Sequence, residues 1–382
     1  MVIRGFPGTA AGAGLAVPSG PVPQAPSNVT SITKDAGATV SFLPPASGTV
    51  TSYTVTPYVS GVAQSPTTVA AGSATSITGS NSNVYLQIPV TGLTNSTAYT
   101  FTVKATGSFG TSPESAQSGA NTPLSGLVFG DDFNGTAGGP VDPEWWIYNN
   151  RCGYLAQSEV EGYMASHCVL DGSGNLKLTG EHVSVTVPRY PSDPSFPGNI
   201  TQPWTSGACQ SNTRTYAPTT GNTMTFEVSQ QVCPGIGGGM WPGLFWLEGQ
   251  DFLTQWKTDP NQTGWDSTGK AEIDVAEWNP SIVFTPDDYL NNSWDSSSPY
   301  TANVNTSTDF SAALHTYQCL WKPGVSITFK RDGTQTGTSA AHVPASGAQF
   351  FLLIYLQIIS GAASSPQNCL IDYVRIYDQN LG

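Results

Sequence analysis

Apolar residues fall on alternate positions in four short runs, ATVSFLPP, SYTVTPYV, VYLQIPV and YTFTVKATG, with turn-forming residues between them. A period of two over several short segments turns one face of each run to a core and the other to water. That is the pattern of an antiparallel β-sandwich. The rest of the chain has little from which to build helices. Only 10% of its 382 residues are charged, and 41 Gly and 29 Pro interrupt it throughout. Amphipathic surface helices draw on Lys, Glu and Arg for their outer face. The expected fold class is all-β, with length enough for two or three domains that each bury a core.

Three segments differ in character. Residues 1–24 are Gly, Pro, Ala and Val with almost no charge, and read as a flexible or extended arm. Residues 25–123 hold the alternating runs. NTPLSG, residues 121–126, reads as a turn-rich linker, and in 124–382 aromatic, acidic and cysteine residues concentrate. The opening MVIRGFPGTAAGAGLAVPSG has one Arg and an apolar run broken by Gly and Pro, so it does not read as a signal peptide. No run of roughly 18 apolar residues is present, and no membrane insertion is expected.

The formal net charge is −13, from 13 basic and 26 acidic residues. Such a chain repels phosphate backbones and anionic lipid, so nucleic acid is not an expected partner. Ten Trp suit a neutral polymer with apolar faces, which describes a polysaccharide. All six cysteines lie beyond residue 150 with no CxxC pair, which disfavours a zinc knuckle. Their even number suggests disulfides and an oxidising destination. Cys209 and Cys233 flank what reads as a hairpin and are the first pair expected.

Residues 271–278, Ala-Glu-Ile-Asp-Val-Ala-Glu-Trp, read as a strand. Glu272 and Asp274 then share a face, while Glu277 falls on the other. One extra residue after Asp274, a β-bulge, returns Glu277 to the face of the first two. Neighbouring carboxylates raise one another's pKa, and glycoside hydrolysis needs that split between an ionised nucleophile and a protonated acid. An acidic strand edge that blunts aggregation has the same bare spacing.

Two families resemble parts of the chain. PQAPSNVT, Pro44-Pro45 and TGLTNSTAYTFTVKATGSFGTSPES resemble a fibronectin type III domain, with Tyr99 where such domains tie down a corner and Phe42 where a core Trp is usual. Beyond the linker, the chain resembles glycoside hydrolase family 16. The blocks that carry the likeness are Asp131 to Gly135, Asp171 to Leu178, Thr205 to Gly207, Gly239 to Leu247, Glu272 to Glu277, His315 to Tyr317, Phe329 to Gly333 and Ile371 to Tyr377.

That resemblance implies a concanavalin-like β jelly roll after the fibronectin-type sandwich. It implies a retaining endo-glycoside hydrolase acting on a β-linked polysaccharide such as β-1,3-glucan or a galactan. Glu272 would be the nucleophile, Glu277 the general acid/base and Asp274 the partner that governs the nucleophile's protonation. Trp241, Trp246 and Trp278 would contact sugar. The resemblance implies no required cofactor, and places a structural Ca²⁺ at Asp372.

The family's His after the acid/base is missing between residues 279 and 300. Asn291, Asn292, Ser293 and Trp294 stand there instead, with Asn292 and Trp294 the expected substrate contacts. A glycan-binding or adhesion protein is the alternative. The arm and fibronectin-like spacer also resemble minor tail proteins of phages that infect actinobacteria. That resemblance implies an extracellular or virion location, other tail proteins as partners and self-association.

Overall fold

The computed structural model describes residues 20–148, 150–152, 159–189, 198–211, 216–248, 271–279, 285–294, 299–359 and 365–381. Most of the expected arm, residues 1–19, lies outside the described residues. Among the described residues there are β-strands and short 3₁₀ turns but no α-helix.

The alternating runs make the first sandwich. One sheet carries Ser27–Lys34, Gly37–Leu43, Thr75–Thr78 and Val84–Thr91; the other carries Ser52–Val59 and Thr100–Gly107 with three short flanking strands. Period-two burial turns Val40, Phe42, Tyr53, Val55, Ile88, Phe101 and Val103 into one core. Phe42 fills its position by packing on Tyr53, ring centroids 5.0 Å apart. The Tyr99 hydroxyl accepts a hydrogen bond from the Thr94 amide at 3.0 Å, which closes the corner anticipated from sequence.

The join between domains is a sheet rather than a loose tether. Thr33 pairs with Gly130, so the first sheet of the small sandwich continues into a sheet of the larger domain. Gly130 is required there, because a Cβ would lie 2.8 Å from Leu127 and 2.9 Å from Thr33 Oγ1. Asp35 clamps the linker, its amide donating to the Leu127 carbonyl at 2.7 Å and its carboxylate accepting from the Gly126 amide at 2.9 Å. Ile32 belongs to the larger domain's core. NTPLSG is therefore a folded corner and not a hinge.

The larger domain is a jelly-roll sandwich. Its outer layer includes His315–Lys322, Thr223–Gln231, Gln367–Gln379 and Leu127–Asp131. Its inner layer runs, strand by strand, Trp146–Tyr148, Ala208–Ser211, Phe350–Ile358, Met240–Glu248, Glu272–Glu277, Asp288–Trp294 and Pro299–Asn305. Phe226 and Val228 from the outer layer meet Leu244, Trp246, Ile273 and Ile354 from the inner one.

All six cysteines are buried thiols. Cys209 and Cys233 are not joined, and the hairpin expected between them is corrected by the topology. Ala208–Ser211 and Thr223–Gln231 lie in different sheets, so the chain between them crosses the sandwich instead of forming a hairpin.

Candidate active site

The strand Glu272–Glu277 sits near the middle of the inner sheet, and its register shows the extra residue. On one side Leu244 pairs with Ala276 while Phe245 pairs with Asp274; on the other, Asp274 pairs with Asn292 and Glu277 with Leu290. Val275 is thus accommodated outside the ladder. Ile273, Val275 and Ala276 face the core. Glu272, Asp274 and Glu277 are left on the opposite, concave face.

Two consecutive asparagines on the neighbouring strand hold this arrangement from both sides. Asn291 reaches the core side, where its Nδ2 donates to the Val275 carbonyl at 2.7 Å and its Oδ1 accepts from Thr336 Oγ1 at 2.8 Å. The bulge removes that carbonyl from the ladder, and the amide satisfies it. Asn292 lies on the carboxylate side. Its Nδ2 donates to Asp274 Oδ2 at 2.8 Å and to Glu277 Oε2 at 2.9 Å. Trp241 completes the enclosure, its Nε1 donating to Glu277 Oε1 at 3.1 Å.

Three acids so close in so dry a place do not ionise together. Burial, then the neighbouring Asp274 carboxylate, push the Glu277 carboxyl up to about 8, against hydrogen bonds from Trp241, Asn292 and Asn279 that lower it. Asp274 is held well above the usual carboxylate range by burial and by the charge of Glu272, with which it shares a hydrogen bond. Of the three, Glu277 is the carboxyl pushed far enough to hold a proton at neutral pH, and Asp274 keeps its hydrogen bond to Glu272. Glu277 can donate a proton, and Glu272 can act as an anion steadied by its neighbour.

The tryptophans divide. Trp241 lies on the face of the carboxyls, bonded to Glu277. Trp246 and Trp278, expected to contact sugar, are core residues instead. Trp246 stacks on Phe226 with ring centroids 3.7 Å apart, and Trp278 packs edge-on against Tyr317 at 5.3 Å. Both are wholly buried. The period of two dictates this: Trp246 is an odd number of residues from Trp241, and Trp278 follows Glu277. Asn292, expected as a substrate contact, is engaged with the two carboxyls. Trp294 pairs through its backbone with Glu272, and its side chain lies outside the described residues.

Tyr355 lies on the inner-sheet strand Phe350–Ile358. It pairs with Gly243, which in turn pairs with Glu277. Burial and then the fields of Glu277, Glu159, Asp274 and Glu272 push its hydroxyl up. Next along the same face, Gln357 Nε2 donates to Glu159 Oε1 at 2.8 Å.

Asp372, where the resemblance places a structural Ca²⁺, lies on the last strand, Gln367–Gln379. Its carboxyl is raised by burial, is hydrogen-bonded by Ser229 and sits near Arg375 and Asp132. Arg375 Nη2 pairs with Asp132 Oδ1 at 3.0 Å, so a guanidinium already supplies the positive charge. Among the described residues no group of three or more His, Cys, Asp or Glu is arranged to hold a metal.

Residues 24–120 match the family model of the fibronectin type III domain. No curated protein matches the chain. Among solved structures, the endo-1,3-β-glucanase of Streptomyces sioyaensis superposes with a TM-score of 0.52 at 24% identity, over 67% of this chain and 98% of that one. LamAcat of Zobellia galactanivorans gives 0.51 at 18% identity, over 66% and 98%. The chain thus joins a fibronectin type III domain to a domain with the jelly-roll fold of the glycoside hydrolase family 16 endo-glucanases.

Proposed function

We propose that the chain is a retaining endo-glycoside hydrolase acting on a β-linked polysaccharide of the glucan or galactan kind. The observation that carries this reading is the bulged strand, which gathers Glu272, Asp274 and Glu277 on one concave face with Glu277 pushed up to about 8. The likeness in fold to an endo-1,3-β-glucanase makes a β-1,3-glucan the first substrate to try.

In the first half-reaction the Glu272 carboxylate attacks the anomeric carbon and forms a glycosyl ester. The glycosidic C–O bond breaks as Glu277 gives its proton to the departing oxygen. Glu277, now ionised, takes a proton from a water. That water attacks the same carbon from the face the leaving group vacated and releases Glu272, so configuration is retained. Asp274 shares its proton with Glu272 and limits the charge at the nucleophile until attack begins. Asn292 holds Asp274 and Glu277 in register, and Trp241 orients the other oxygen of Glu277.

The test is reducing-end release from β-1,3-glucan, mixed-linkage glucan, galactan and arabinogalactan, with wild type beside Glu272→Gln. Cleavage of any of them that is lost in the variant supports the enzyme. A folded wild type that cuts none, yet is retained on one of these glycans, overturns hydrolysis in favour of a glycan-binding protein.

A further inference from the structure

Four of the six cysteines meet in pairs at opposite ends of their own sequence intervals. Cys168 begins the strand Cys168–Leu170 in the outer sheet, and Cys209 lies on Ala208–Ser211 in the inner sheet. The two thiols are hydrogen-bonded to each other. The backbone leading into Cys209 runs tight against Cys168, since a Cβ on Gly207 would lie 3.2 Å from the Cys168 Cβ. At the other pair, the Cys233 amide donates to Cys369 Sγ at 3.2 Å, and these two thiols are also hydrogen-bonded. Cys233 follows Thr223–Gln231, whose Gln231 pairs with Leu370 beside Cys369.

Two alternatives fail on distance. Cys168 and Cys369 both pair with Leu178, from its two sides. They are therefore two strand spacings apart, roughly 9.6 Å, beyond the roughly 4.4–6.8 Å between Cα atoms that a disulfide spans. Cys319 aligns through Phe226 with Ile376, seven residues along the strand from Cys369. At about 3.3 Å per residue that is roughly 23 Å, again too far. Cys152 packs with Val187 in a separate small cluster, and its thiol donates to the Arg189 carbonyl at 3.0 Å.

We propose that Cys168–Cys209 and Cys233–Cys369 are two cystine sites of the mature protein, and that Cys152 and Cys319 remain thiols. The first bridge staples the outer sheet to the inner one; the second ties the end of one outer strand to the last strand of the chain. All four sulfurs are fully buried, so the bonds must form while the chain folds. Each bridge forms by thiol–disulfide exchange with a low-molecular-weight disulfide such as oxidised glutathione. One thiolate attacks it and releases one reduced thiol. The second cysteine then attacks the mixed disulfide and releases another. Two protons and two electrons leave the protein per bridge, and one disulfide of the oxidant is reduced. Bridges of this kind persist outside reducing compartments, which gives the chain an extracytoplasmic destination on grounds separate from its activity.

The test folds the full-length chain in a buffer of reduced and oxidised glutathione, denatures it with an alkylating agent and no reductant, and maps the digest by mass spectrometry. The expected result is two cross-linked peptides, Cys168 to Cys209 and Cys233 to Cys369, with Cys152 and Cys319 alkylated. A Cys168→Ala/Cys209→Ala protein should retain only the second cross-link. Reductant should lower the wild-type melting temperature by roughly 5–15 °C. Six alkylated cysteines after folding in the oxidant, or cross-links joining any other partners, overturn the proposal. So does a chain that folds only when reductant is present.

Discussion

The bulge that brings Glu277 to the concave face depends on one side-chain amide, and Asn291→Leu removes it while keeping roughly the same shape. The Val275 carbonyl then loses the donor it holds at 2.7 Å, in a residue only 1% exposed. An acceptor left unpaired in such a place costs about 1–3 kcal/mol, and the lost bond to Thr336 adds about 1 kcal/mol. For a domain of this size that lowers the melting temperature by roughly 4–16 °C. The larger consequence is local. With its carbonyl unpaired, Val275 is driven back into the ladder, and a one-residue slip turns Glu277 toward the core. Loss of a positioned proton donor should reduce kcat by about 10²–10⁴. Thermal unfolding and kcat should be measured together, the latter well below the variant's melting temperature. Asn291→Asp sharpens the test, because a protonated Asp can still donate to the carbonyl and an ionised one cannot; its activity should recover toward acid pH. An Asn291→Leu protein with wild-type kcat would refute the link between this amide and the acid/base, whatever happens to stability.

Burial and Asp274 push the folded Glu277 carboxyl up to about 8 from an ordinary 4.5, so between those pH values the folded chain should hold a proton that the unfolded chain has released. Stability falls as pH rises through that window. Glu277→Gln should therefore match wild type below pH 4.5 and gain on the order of 4 kcal/mol by pH 8, read from melting curves against pH. A gap that does not widen with pH contradicts the assignment. Asn292→Ala removes a donor that lowers both Asp274 and Glu277, so the alkaline limb of kcat/KM should move to higher pH while the maximum falls; an unmoved limb counts against it. Trp246→Ala should destabilise by about 3–5 kcal/mol through lost packing on Phe226. Trp241→Phe should cost less, about 1–3 kcal/mol for the donor lost to Glu277, and should move the alkaline limb of the pH profile upward. Equal behaviour of these two variants would contradict the division of the tryptophans.

Alternation made the first sandwich legible, and the spacing of Glu272, Asp274 and Glu277 on a strand required a bulge if the three were to act together. The same rule places Trp246 and Trp278 in the core, and it had only to be applied five residues beyond Trp241 and one beyond Glu277. The face that Tyr355 takes was hidden for a physical reason. Phe350–Ile358 is buried on both faces along almost its whole length, so its apolar run has no period from which to choose a face. Asn291 was equally hidden, since the carbonyl it serves loses its partner only once the bulge exists. Which cysteines neighbour one another depends on how the strands are ordered in the two sheets, a long-range matter that spacing does not carry.

The pairing of Thr33 with Gly130 has a mechanical meaning. A module hung on a supple thread samples every bearing, whereas one spliced into its neighbour's sheet points where that neighbour points. Ile32 seated in the larger core and Asp35 gripping Gly126 remove the freedom to swivel. The fibronectin-type domain is thus a bracket. If many copies are tethered through their first residues to one surface, their concave faces will all look out at the same angle, and a polymer lying across that surface will meet them in a row.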